Sequence, residues 1–446
     1  MVDAQITSSN TQHYLRHLTE LNDTQPVSAS EDIYNQFGVL LIAKGSRINA
    51  QVQKQLLQHR LKKSIDDQVV LENTLSDLEL FQQLLGMIED SVEYAQMHRG
   101  TGFEDLFRHI CLTARLPLQI RQKLTVMSQR LPLIFAHCQF TGWASALIAH
   151  EMKLSIQTCQ NAYICGLLHD VGFLHLPIEV QTQTPLSDEH WRALQSHVLI
   201  GQRCADSCGL HKEIGVGILE HHERLDQTGY PTRKSPEKLS LLGQIVASAD
   251  LLHHLCTHEL DHTTASLAGA LPHFKIHHGS FNGRIHSALM RILHQATLDQ
   301  ADKPTPLKPV NLERVRSINS QLQTLLAPLA KLRQHAELAS APKGPKVLAI
   351  MMSINTLMAN SGIDDQQLND WLLSDIDPAD ADNTSCLTEL DAMQYELLWL
   401  IKRLGWNLSD FLSDAASESQ QSQSEPFSRY QEQLTSSLNQ AFELYR

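Results

Sequence analysis

Gly166-Leu167-Leu168-His169-Asp170-Val171-Gly172 sets an imidazole beside a carboxylate between two glycines, directly after a helix-like apolar run from Cys159 to Leu168. Adjacent residues of a helix point about 100° apart, so such a pair can address two sides of one metal cluster. Taken alone, the dipeptide also suits a helix cap or a surface pair. It gains meaning from other ligand types in helical context. His197 stands in Gln-Ser-His-Val-Leu-Ile-Gly, His221 and His222 in Leu-Glu-His-His-Glu-Arg-Leu-Asp, and Asp250 in Ala-Ser-Ala-Asp-Leu-Leu. Four imidazoles and two carboxylates are too many for one ion and suit two octahedral ions that also hold water. A nitrogen and oxygen set without thiolate favours iron or manganese over a cysteine-rich zinc site.

The rest of the composition points the same way. Of the 24 histidines, 18 lie between His137 and His294, which puts the chemistry in the middle of the chain. Lys and Arg number 36 against 49 Asp and Glu, a formal charge of −13 that would repel a phosphate backbone, so a general nucleic-acid binder is excluded. None of the eight cysteines forms a Cys-x-x-Cys pair, and the first residues show neither a basic nor an apolar leader segment. A reduced, cytoplasmic protein is expected, without a membrane span, because no apolar run approaches roughly 18 residues.

Periodicity predicts a mainly α chain of three parts. Residues 1–75 read as a small α/β module: a polar, poorly periodic start, a strand bracketed by Gly38 and Gly45, a helix within Asn49–Lys62, and a strand at Gln68–Leu71. Residues 76–335 read as helical throughout, with apolar faces such as Phe81, Leu84, Leu85 and Ile88, and Ala144, Leu147, Ile148 and Met152. Pro236 and Ser240 mark the start of a helix that carries Asp250. The segment Ser-Ala-Pro-Lys-Gly-Pro before Lys346 reads as a linker to a helical domain at 346–446, with a Ser/Gln-rich, disordered 415–426. Met351, Met352, Trp371, Trp399 and Trp406 are expected in its core. Cys204 and Cys208 are expected to be buried small apolar residues, and His253, His254, His258 and His262 to form a polar helix face.

The order His137, His169-Asp170-x-Gly, His197-x-x-Ile-Gly, His221-His222-Glu-x-x-Asp-x-x-Gly229-Tyr230-Pro231, Asp250 resembles the HD-GYP family of the HD phosphohydrolase superfamily, over roughly residues 130–295. The resemblance implies an all-helical metallohydrolase that cleaves cyclic di-GMP or a related nucleotide through a metal-bound hydroxide. His169, Asp170, His197, His221, His222 and Asp250 would ligate two divalent ions, with Asp170 bridging and with His169 and Asp170 catalytic. Leu133 replaces the glutamate that supplies a third metal in some members. Arg224, Tyr230, Glu259 and His262 would face the substrate, and the Gly-Tyr-Pro loop and flanking domains would meet signalling partners. Phe173, Gln227, Glu259 and His262 depart from the family pattern. They point to an alternative, a catalytically impaired domain that binds nucleotide or protein. A carboxylate at Glu259 near substrate phosphate would cost affinity, since a unit charge at about 4 Å and an effective dielectric near 20 is worth roughly 4 kcal/mol.

Overall fold

A computed structural model describes residues 2–22, 24–100, 102–182, 188–225, 229–257, 267–276, 281–298, 310–332, 344–363, 365–377 and 380–417, with isolated positions between 428 and 436. Helices dominate, as the sequence predicts, and the only sheets among the described residues are two antiparallel pairs. The chain divides into two compact units. The first comprises Met1–Glu223, Tyr230–Thr232 and Glu237–His253, and the second comprises Arg224–Gly229, Arg233–Pro236 and His254–Arg446.

In the first unit, Val27–Ala29 pairs with Val69–Leu71 and Ile33–Tyr34 with Leu40–Ile42. Gly38 and Gly45 flank the Leu40–Ile42 strand at φ of 80° and 81°, a backbone that side chains with a Cβ rarely adopt. Asn49 caps the helix Ala50–Leu57 by accepting from the amides of Gln51 and Val52. The polar start proves to be helical over Val2–Leu21. Its final turns bury Tyr14, Leu15, Leu18 and Leu21, an apolar stripe too short to outweigh the Ser, Thr and Asn content before it.

His17 of that helix is 7% exposed. Burial, followed by the Arg130 guanidinium, pushes its imidazole down to about 4. The unfolded chain takes up this proton first, so the stability is complete above about pH 6.5 and is lost as pH falls toward 4. Denaturant titrations at pH 7 and pH 4.5 are expected to show the wild type losing about 2 kcal/mol more than His17→Gln. Equal losses would contradict this.

The helices that follow surround Pro132–Glu151. Residues Cys138–Ala149 of this helix are all buried, so the single apolar face expected around Ala144, Leu147, Ile148 and Met152 gives way to a helix enclosed on every side. Against it runs Ile156–Leu168. The two approach so closely that a Cβ on Gly166 would lie 2.6 Å from the Thr141 carbonyl oxygen, which brings His137 of one helix near His169 of the other.

The second unit has its own core. Val315, Ile318, Leu322, Leu325 and Leu332 pack in one cluster with Ile350, Ile354, Leu397, Ile401 and Leu404. The boundary expected between 335 and 346 therefore does not separate two cores. Residues 333–343 lie outside the described residues, but Gly344–Ser361 is already helical. Pro345 is tolerated there because the first helical turn does not use its missing N–H. The stretch expected to be disordered likewise begins inside the helix Ala381–Ser417, and 418–426 lies outside the described residues. Met351 and Trp371 join the core, whereas Met352, Trp399 and Trp406 are 62%, 39% and 56% exposed. Their spacing put them in an apolar pattern, but they fall on the solvent side of their helices. Among the described residues no helix is long and apolar enough to cross a membrane.

Candidate metal centre

Helix ends assemble the site. His137 projects from Pro132–Glu151, His169 caps the C-terminus of Ile156–Leu168, His197 begins His197–Ser207, and His221 caps Lys212–Glu220. Asp250 comes from Leu241–Thr257, whose start Ser240 caps by accepting from the Gly243 amide. The pair His169-Asp170 is not wholly helical. The helix stops at Leu168, and Asp170 turns the chain into a short 3-10 segment, Val171–His175. Gly172 permits this, because a Cβ there would sit 2.1 Å from the His197 carbonyl oxygen.

Three of the histidines are held in one tautomer. The Nδ1–H of His169 donates to the Gly166 carbonyl at 2.7 Å, that of His197 to Leu194 at 2.5 Å, and that of His221 to Ile218 at 2.7 Å. A ring that donates through Nδ1 presents a bare lone pair at Nε2 when neutral. These lone pairs converge. His169 Nε2 lies 3.1 Å from His137 Nε2, and His197 Nε2 lies 3.3 Å from His221 Nε2. Two acceptors at such distances repel unless a proton or cation lies between them.

Asp170 joins the two pairs. Its Oδ2 is 3.3 Å from His169 Nε2 and 3.8 Å from His137 Nε2, while its Oδ1 is 3.2 Å from His197 Nε2 and 3.8 Å from His221 Nε2. Asp170 Oδ1 is nevertheless buried without a hydrogen bond, as expected if the facing nitrogens carry no proton. At this site, among the described residues, two groups have donor atoms close enough to hold an ion, Asp170 with His197, His221 and His222, and His137 with His169 and Asp170. The residue common to both is Asp170. Asp250 Oδ1 reaches His137 Nε2 at 3.1 Å and its Oδ2 lies 4.0 Å from His222 Nδ1. The donor set fits divalent metal.

The electrostatics describe a site that demands positive charge. Burial raises the Asp170 carboxyl, but the His169 imidazole outweighs it and holds the acid well below the usual range; Asp250 is lowered likewise, chiefly through His137. Burial and the neighbouring His222 hold the His221 imidazole well below its ordinary value. Burial would also lower His169, yet the Asp170 carboxylate more than offsets it, and this imidazole is raised.

His137 was expected only as an upstream histidine, but the structure puts it among the donors. His253, assigned to a polar face, places its Nδ1 2.8 Å from His137 Nδ1. It stands one turn after Asp250, and that spacing was the available signal. Phe173 packs its ring 4.8 Å from the His197 ring. Tyr230 lies over His222, with ring centres 4.7 Å apart, and the following Tyr230–Pro231 peptide is cis. Glu223 accepts from the Thr232 amide and hydroxyl at 2.7 and 2.8 Å, and Glu220 from the Ser240 amide at 2.7 Å. These two buried carboxylates, both overlooked in the sequence, tie the residues around the ligands together. Cys204 is buried as expected; Cys208 is only half-buried. Arg224 is half-buried and falls in the second unit. Gln227, His258, Glu259 and His262 lie outside the described residues.

Residues 121–282 match the HD domain family. A cyclic di-GMP phosphodiesterase of Thermotoga maritima is 32% identical over 117 residues, covering 26% of this chain and 32% of that protein. The cyclic di-GMP phosphodiesterase PdeB of Borreliella burgdorferi is 27% identical over 114 residues, 25% of this chain and 30% of the relative. The 3'3'-cGAMP-specific phosphodiesterase 1 of Vibrio cholerae is 27% identical over 131 residues, 29% and 30% of the two chains. The match thus spans about a third of the length of each of these relatives. The convergent histidines and Asp170 thus fall inside residues 121–282, the region that is similar to the HD domain family.

Proposed function

We propose that the domain hydrolyses a phosphodiester bond of a cyclic dinucleotide, cyclic di-GMP or a close relative, using two divalent ions. The observation that carries this reading is the membership of Asp170 in both ligand groups. A single buried carboxylate with one oxygen turned to each pair of histidines suits a bridge. His169, His197, His221, His222 and Asp250 complete the ligand set, with His137 beside it. Nitrogen and carboxylate donors without thiolate favour iron or manganese. Divalent ions bound here supply Lewis acidity and an activated water at neutral pH.

The residues of the chain do the positioning. The Gly166, Leu194 and Ile218 carbonyls hold three imidazoles with their lone pairs inward before any ion binds, which lowers the reorganisation that binding requires. Phe173 covers one face of His197 and limits water there. Tyr230, which lies near His222, is proposed to contact a substrate base or phosphate, as are Arg224, Glu259 and His262. The Gly-Tyr-Pro loop and the second unit would receive signalling partners. None of the eight cysteines is in a disulfide, which supports a reducing, cytoplasmic location.

Protein purified without oxygen and assayed with cyclic di-GMP and 3'3'-cGAMP is expected to linearise at least one of them, with activity lost on chelation and regained with Mn²⁺ or Fe²⁺. Metal-loaded protein that binds a cyclic dinucleotide without cleaving it would favour the impaired, signalling reading instead.

A further inference from the structure

The first unit contains a concavity whose lining includes none of the candidate metal ligands. It is a cavity of about 650 Å³ bordered by residues 56–67 of the N-terminal module, by His175, and by the outer face of His197–Ser207. That volume falls within the range of small-molecule sites. Arg60, Lys62, Lys63 and Arg203 line it together with two carboxylates, Asp66 and Asp67, and Lys63 is already paired with Glu31 at 2.7 Å. Asp66 is already neutralised: the Lys123 ammonium lies 3.1 Å from its Oδ2, and both side chains are largely buried. In a chain of charge −13 this wall is locally cationic. Leu56, Leu57 and Ile200 add an apolar side.

Asp66, His175 and Cys204 in the lining lie within ligand reach of one another. Lys123 already holds the position of a cation there, and burial pushes the Cys204 thiol up to about 11, which keeps it neutral. A metal is therefore the weaker occupant. We propose that this cavity binds a phosphorylated small molecule of nucleotide size, its phosphate held by Arg60, Lys62 and Arg203 and its remaining part against Leu56, Leu57 and Ile200. Two elements link this lining to the metal centre. His175 closes the 3-10 segment that Asp170 opens, and Cys204 lies on the helix that His197 begins. An occupant here bears on two ligand-carrying elements without entering the centre itself, and the inference does not depend on the phosphodiesterase reading.

Calorimetric titration of the full chain with inorganic pyrophosphate and with GMP tests it. Asp170→Asn in the same titration separates this cavity from the metal centre. Saturable binding of either probe is expected to persist in Asp170→Asn and to weaken roughly tenfold or more in Arg60→Glu/Arg203→Glu, as when a charge-assisted contact is reversed. Lys62→Glu, on an exposed side chain, should weaken it as well in a chain whose circular dichroism is unchanged. Binding that the charge reversals leave intact, binding that vanishes in Asp170→Asn, or no saturable binding of either probe would overturn the proposal.

Discussion

Asp170→Asn is expected to empty the metal centre and to lower phosphodiesterase turnover by on the order of 10³-fold or more, the scale on which a catalytic unit fails when one member is removed. The asparagine keeps the shape of the side chain but removes its charge. In the wild type both carboxylate oxygens face imidazole nitrogens at 3.2 and 3.3 Å, so a neutral amide deprives both ligand groups of their shared anion at once. It also offers an NH₂ where a lone-pair donor is needed. Because volume is conserved, far-ultraviolet circular dichroism should hardly change. Metal analysis and turnover on the same sample provide the check, and a variant that retains metal and rate would remove Asp170 from the bridging position.

Gly172→Ala is expected to cost about 3 kcal/mol of stability and most of the bound metal, although it adds one methyl group and touches no ligand side chain. The added Cβ would meet the His197 carbonyl oxygen at 2.1 Å and the carbonyl carbon and Cα at 2.8 Å. All three are backbone atoms, so no side-chain rotation relieves the clash. Either the 3-10 segment or the start of His197–Ser207 must move, and each movement separates Asp170 from His197. Gly86→Ala is the control. Gly86 lies within the helix Asp77–Glu89 with nothing within 4 Å of an added Cβ, and alanine there should raise stability by roughly 0.5–1 kcal/mol. Thermal melts of both variants read the difference.

The six proposed ligands could be picked out in the sequence because their types recur in a fixed order and a carboxylate or imidazole is visible as a residue type, and five of them fall in the two groups of donor atoms around Asp170. What that order could not show was the tautomer control, which depends on main-chain carbonyls three residues earlier in space and chain. His253 looked like part of a polar face because four histidines share the stretch; only its contacts with His137 and Phe140 single it out. Glu220 and Glu223 were hidden for a similar reason, as buried carboxylates are recognised by their partners, Ser240 and Thr232. In the fold, helical periodicity and turn glycines were legible. The helix Val2–Leu21 escaped because its stripe is confined to its last turns, and Pro345, read as part of a linker, begins the helix Gly344–Ser361 because a proline marks a helix start as readily as a linker.

The central claim is a two-ion centre bridged by Asp170 that cleaves a cyclic dinucleotide. It is tested most directly by elemental analysis of anaerobically purified full-length protein, combined with cyclic dinucleotide turnover on the same preparation, for the wild type and Asp170→Asn. The account predicts about two equivalents of iron or manganese per chain and measurable hydrolysis in the wild type, with both lost together in the variant. Hydrolysis by metal-free protein, or a full metal complement in Asp170→Asn, would contradict it.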